Sequence, residues 1–216
     1  MRIGILGSGL MGGKLGTIFA RAGHEVVFSY ARSRDKLETL AAAAGHGASA
    51  GTPAEAARDA DALLLAVHWS RVDDVLGQAG DLAGKVLITC SLPMNADDTG
   101  LVVAHTSSGA EELAKKVKGA YVVSAFGTVP SEVLFAVFEA RDGERRPSLV
   151  YSGDDEEAKA TVSTLIRDLG FDPVDAGPLE VARYSEPFTL LMARLAYEGD
   201  EGPAVAYRFE RYAERN

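Results

Sequence analysis

Directly after a strand-like run, "RIGIL", the chain reads "GSGLMG" at residues 7–12 and then enters a segment of helical period. A glycine-rich turn between a strand and a helix admits few architectures. Gly7 allows a tight turn, Gly9 lets a pyrophosphate approach the backbone, and Gly12 lets helix and sheet pack closely. Ser8, Leu10 and Met11 fill the positions between. The helix N-terminus adds unpaired N–H donors and a partial positive charge. The pattern alone is weak, and its place in the chain gives it weight.

The rest of the sequence alternates in the same way. Leu15, Ile18, Phe19 and Ala22 mark the first helix, which Gly23 closes. "EVVFSY" reads as a second strand, and Leu37, Leu40, Ala41 and Ala44 stripe a helix ending at Gly45. A weak strand at residues 48–50 precedes a capping box, Thr52 and Glu55, with Pro53 at the first helical position. "DALLLAV", "KVLITC", "AYVVSAF", "SLVYSG" and "FDPVDAG" read as further strands. Ser70 with Asp73, and Ser108 with Glu111, have capping spacing before two of the intervening helices. Strands alternating with helices predict an α/β, Rossmann-type, doubly wound and mainly parallel sheet. The predicted domains are 1–178, binding a nucleotide, and 179–216, a small extension that reads as helical to its end.

The second strand ends in "SYARSRDK" with two arginines and no carboxylate at the expected place. An acid there accepts hydrogen bonds from the ribose hydroxyls of NAD. Ser29, Arg32 and Arg34 instead suit a 2′-phosphate, which guanidinium and hydroxyl groups can hold. Two charged hydrogen bonds of roughly 1.5–3 kcal/mol each would favour NADP(H) by about a hundredfold or more. The expected cofactor is NADP(H).

A net charge of −9 argues against nucleic acid or an anionic membrane surface as partner. The longest apolar run, "ALLLAV", is far too short to span a bilayer. The opening residues do not read as a secretory signal, and a single cysteine, Cys90, suits a reducing compartment. The expected location is the cytoplasm.

"GSGLMG", "FSYARSR", "LLAVHW", "VVSAFGTVP", "VYSGDDEEAK" and "DAGPLEVARYSEP" together resemble the coenzyme F420-dependent NADP oxidoreductase family across nearly the whole chain. The last two segments are far more specific than the glycine turn. The cytosolic reductase domain of certain membrane metalloreductases is similar too. The resemblance implies hydride transfer directly between NADP(H) and a deazaflavin (F420) or flavin, with no catalytic side chain and in a homodimer. It also implies that Val67, His68 and Trp69 follow the fourth strand in the cofactor crevice. By the same resemblance Ser91 and Leu92 follow the fifth, and Phe126, Gly127 and Thr128 lie by the nicotinamide after the sixth. Two positions depart from the family. His68 stands where proline is frequent, and Gly127 where Asn or His is usual, which leaves extra room near the acceptor.

Other chemistry is poorly supported. Cys90 reads as a buried strand residue, and Asp97 and Asp98 lack histidine spacing for a metal. His105 and its neighbouring serines read as a helix cap rather than a hydrolytic triad. A hydroxyacid dehydrogenase or imine reductase needs a larger helical domain than the 38 residues after Pro178. The hydroxyacid type also needs a lysine beyond the nucleotide domain. Only Lys159 follows Gly127, at a helix position that reads as solvent-facing. An NADPH-binding module without its own small substrate is the reading of another class.

Overall fold

A computed structural model describes residues 1–212. Its centre is an eight-stranded sheet in the order β3-β2-β1-β4-β5-β6-β7-β8. The first six strands are β1 (Arg2–Leu6), β2 (Glu25–Ser29), β3 (Ser49–Ala50), β4 (Ala62–Leu65), β5 (Val86–Thr89) and β6 (Tyr121–Ser124), all parallel. β7 (Ser148–Gly153) meets β6 antiparallel over two residue pairs, and β8 (Asp172–Asp175) runs parallel to β7. The strand order reverses between β1 and β4. Ligands of open α/β sheets bind at such a switch, outside the strands' carboxyl ends.

Helices cover both faces: α1 (Leu10–Arg21), α2 (Arg34–Ala44), α3 (Pro53–Ala57), α4 (Val72–Ala79), α5 (Gly109–Lys116), α6 (Leu134–Glu139), α7 (Glu156–Asp168) and α8 (Ala182–Tyr197). One core packs α1, α2, α6 and α7 on one side of the sheet through Leu15, Phe19, Leu134 and Leu165. The other packs α3, α4 and α5 through Ala56, Val75 and Leu113. Because strands β1 and β4 are buried on both faces, their runs are apolar without alternation.

Thr52 and Glu55 form the reciprocal capping box, and Ser108 accepts from the Glu111 N–H as the spacing predicts. Ser70 and Asp73 do not cap. His68 instead caps a short 3-10 turn, Trp69–Arg71, and α4 begins at Val72 without a side-chain cap. Lys159 is not solvent-facing: it is 7% exposed, with its Nζ 2.8 Å from Glu156 and 3.1 Å from Asp175. The stem is buried while the ammonium reaches two carboxylates.

The C-terminal extension is helical only to Tyr197. Residues 203–210 return without regular structure to the start of β7, beyond the reach of β6. There the Tyr207 carbonyl accepts from the Ser148 N–H, and the Tyr207 hydroxyl accepts from Val150 N–H and pairs with Thr128. On the side away from β8 the start of β7 has no strand neighbour among the described residues, and the tail supplies partners for its backbone groups there. The predicted extension also includes 213–216, which lie outside the described residues.

Candidate functional site

The turn between β1 and α1 has the geometry its glycines imply. Gly7 has φ +115°, and a Cβ on it would sit 2.5 Å from the Ala66 carbonyl oxygen. A Cβ on Gly12 would come within 2.0 Å of the Gly7 oxygen, whereas one on Gly9 would meet nothing within 4 Å. Gly9 is the N-cap of α1 and offers no side-chain acceptor, so the first N–H groups of the helix face open space. Uncapped helix N–H groups beside open space are the donors that anions take at helix starts. The Ser8 hydroxyl is turned away from that space, donating to the Ser29 carbonyl at 2.9 Å.

An open cleft of ≈ 740 Å³ extends from this turn to the end of β2 and the residues after β4. Ser8, Gly9 and Leu10 form one wall; Val67, His68 and Arg71 form another. Tyr30, Arg32 and Lys36 close the far end. Tyr30 has φ +56° and donates its hydroxyl to Asp74. That bond, with a second from Gln78, holds the Asp74 carboxyl below its usual range. Burial, followed by the Asp74 contact, raises the Tyr30 phenol.

The residues expected at the phosphate end divide. Arg32 lines the cleft. Ser29 does not: it is fully buried and its hydroxyl donates to the Ile5 carbonyl at 2.7 Å. Arg34 is the first residue of α2 and pairs with Glu38 at 2.8 Å, outside the cleft lining. Two cations that sequence reasoning missed, Lys36 and Arg71, take part instead. Lys36 lies four residues after Arg32, at the third position of α2, a spacing visible in the sequence; Arg71 depends on the 3-10 turn and carried no such signal.

Past the strand ends the remaining expected residues also separate. Trp69 packs against the core cluster beneath α4 rather than lining the cleft. Ser91 accepts from the Val67 N–H and donates to the Leu65 carbonyl, fixing the chain after β4 against that after β5. Phe126 is fully buried in the core with φ +66° and lines neither the cleft nor the two smaller cavities at Gly127. Leu92, Gly127 and Thr128 line a small polar recess together with Glu186 of α8. The Glu186 carboxylate accepts from Gly109 N–H at 2.8 Å and Ala110 N–H at 3.0 Å, and burial pushes its pKa up to about 7.

Gly127 also opens onto an apolar cavity of ≈ 160 Å³ walled by Met11, Val129, Pro130, Thr189, Met192 and Tyr197. Met11 directly follows Leu10, which lines the cleft. The cavity's frame is braced. Lys14 donates to Ser131 at 3.1 Å, and Tyr197 donates to Glu132 at 2.8 Å. Burial, then Glu132, pushes the Tyr197 phenol up to about 12, so it stays a donor. A Cβ at Gly127 would meet its nearest neighbours only at 3.7 Å, an ordinary contact.

Among the described residues, none that lines these cavities resembles an activated nucleophile. Burial pushes the Cys90 thiol up to about 12 and its sulfur lies 3.5 Å from the Leu65 carbonyl, so it has no thiolate character. Among the described residues there is no cluster of metal-ligating side chains, and no helix is long and apolar enough to cross a membrane.

Residues 2–93 match the family described as "NADP oxidoreductase coenzyme F420-dependent". The chain is 33% identical over 189 residues to rat metalloreductase STEAP3, covering 88% of this chain and 36% of that protein. It is 29% identical over 147 residues to the F420-dependent NADP reductase of Methanocaldococcus jannaschii, covering 65% of this chain and 64% of the relative. The chain thus spans about a third of the first relative and just under two thirds of the second. A crystal structure of an Arthrobacter sp. FB24 protein, assigned as an F420-dependent NADP-reductase, superimposes with a TM-score of 0.84. Identity there is 25%, and 98% of this chain and all of that one are covered. An Aspergillus terreus imine reductase shares the fold alone, with 20% identity and a TM-score of 0.65 over 60% of its length. With its glycine turn, cation-lined cleft and eight-stranded sheet, the chain is similar to the coenzyme F420-dependent NADP oxidoreductases, whose family model its residues 2–93 match.

Proposed function

We propose that the protein transfers a hydride directly between NADP(H) and a deazaflavin or flavin acceptor. The observation that carries this reading is the apolar cavity at Met11 and Gly127. Its wall residue Met11 follows Leu10 of the dinucleotide cleft; among the described residues no carboxylate, histidine or lysine lines it, and the Tyr197 hydroxyl is engaged by Glu132. NADPH, when bound, supplies the hydride; the protein's residues supply position and exclusion of water. The N–H groups at the start of α1 would hold the pyrophosphate, and Arg32 with Lys36 the 2′-phosphate. Leu10, Met11 and Val129 would screen the reacting edge from solvent. The missing side chain at Gly127 widens the acceptor side of the cavity.

The test is anaerobic hydride transfer from NADPH to oxidised F420, with FMN and FAD in parallel. Fast bleaching of F420 or of a flavin supports the proposal and identifies the acceptor. Tight NADPH binding without transfer to any of the three overturns it, and favours an NADPH-binding module that serves another partner.

We further propose that the working unit is a homodimer. Tyr184, Leu191 and Leu195 lie along one stripe of α8 and are more than half exposed.

A further inference from the structure

Arg32, Lys36 and Arg71 line one cleft from three separate elements, and Arg71 is near enough to Tyr30 at the far end for its charge to act against the rise of that phenol's pKa. Among the described residues, none of the three side chains lies within ion-pairing distance of a carboxylate, whereas Arg2, Arg34, Lys116 and Arg183 do. Arg71 is nevertheless close enough to Asp74 for its charge to help hold that carboxyl ionised, after the Tyr30 and Gln78 hydrogen bonds. In a chain of net charge −9, three unpaired cations around one cleft make a local site for a multiply charged anion.

Arg71 owes its position to His68. The Arg71 N–H donates to the His68 carbonyl at 2.8 Å, closing the Trp69–Arg71 turn. The His68 ring secures the same turn from its other side: Nδ1 accepts from the Ser70 N–H at 3.2 Å and lies 2.8 Å from the Ser70 hydroxyl. Because Nδ1 accepts a backbone proton, the network assigns the proton of the neutral ring to Nε2. From there it donates to Asp98 at 3.0 Å, in the connection between β5 and α5. A three-residue turn has little hydrogen bonding of its own, so a side-chain cap decides whether it forms.

We propose that Arg71 is a third cation for the cofactor's 2′-phosphate, beside Arg32 and Lys36, and that His68 is the positioning residue that presents it. The inference rests on the NADP(H) reading of the cleft. It also gives the departure at residue 68 a reason: the imidazole builds the turn that carries the extra cation. The contact to Asp98 steadies the ring but does not itself place Arg71.

Binding of adenosine 2′,5′-bisphosphate and of AMP, measured by calorimetry on the full chain, isolates the phosphate without any turnover. NADPH and NADH affinities measured in parallel report on the whole nucleotide. Arg71→Ala is expected to weaken the bisphosphate and NADPH by about tenfold while changing AMP and NADH less than about twofold. His68→Ala should show the same selective pattern. His68→Asn, whose short amide can still cap the turn, should recover most of the loss. Asp98→Ala should leave the NADPH-to-NADH ratio unchanged. Equal losses for both members of each pair in Arg71→Ala or His68→Ala would overturn the proposal. So would His68→Asn behaving like His68→Ala, or Asp98→Ala matching it. A wild-type protein that binds NADPH and NADH equally would refute the cofactor reading itself, and with it this inference.

Discussion

Single residues in the phosphate turn have separable duties. Gly12 meets the turn's own backbone, while Gly9 meets only open space. Gly12→Ala should therefore destabilise the fold, because the clash is with a backbone oxygen that cannot swing away; roughly 1–3 kcal/mol is expected for such overpacking. Gly9→Ala should fold with an unchanged melting temperature yet bind NADPH about tenfold or more weakly, since its methyl would occupy the space of the pyrophosphate. Melting curves and NADPH titration of the two variants check this; a Gly9→Ala protein that binds normally would mean the phosphates lie elsewhere. At this scale the sequence was only partly legible. The tight turn of "GSGLMG" and the place of Arg32 in the cleft lining could be read because both follow from local position along the chain. Ser29 could not, because its hydroxyl is spent on the Ile5 carbonyl of the neighbouring strand. Arg34 differs from Arg32 by two residues, yet it starts a helix and turns to Glu38.

At the scale of elements, alternating apolar runs and capping pairs located the parallel strands and most helix starts. What they could not locate were features made by contact between distant segments. The α5 N-terminus is an example: besides its own Ser108 cap it is held by Glu186, 76 and 77 residues away. Burial of that carboxyl raises its pKa to about 7 against the two N–H donors that favour its ionised form. A raised folded-state pKa means the folded protein binds this proton more tightly than the unfolded chain does. The stability it contributes is fully present below the ordinary glutamate pKa and is lost as pH rises through about 7. Glu186→Gln removes the titration and keeps the shape. The stability difference between wild type and Glu186→Gln should accordingly shift against wild type by roughly 3 kcal/mol between pH 4 and pH 8. Urea midpoints at a series of pH values measure it. A difference that stays constant with pH would mean that Glu186 titrates as an exposed acid does.

At the scale of the molecule, the chain's second half closes the site that its first half begins. The turn and cation cluster lie within residues 7–74, but the apolar cavity needs Thr189, Met192 and Tyr197 from α8. α8 has two working faces. Thr189, Met192 and Ala196 are buried toward the sheet, while Tyr184, Leu191 and Leu195 are more than half exposed. Their spacing of seven and four residues aligns them on a single stripe. Exposed leucines scattered singly need no explanation, but an aligned stripe with a tyrosine fits an interface between copies. If that is its use, Leu191→Glu combined with Leu195→Glu should convert a dimer to a monomer in sedimentation velocity without lowering the melting temperature of the monomer's own core. The same double variant should bind NADPH as wild type does, since neither leucine lines the dinucleotide cleft. It should lose acceptor turnover only insofar as pairing steadies the opposite face of α8, where the cavity wall lies. A wild-type protein that sediments as a monomer at micromolar concentration would remove the dimer proposal and leave the hydride-transfer reading intact, because that reading invokes no residue of a second copy.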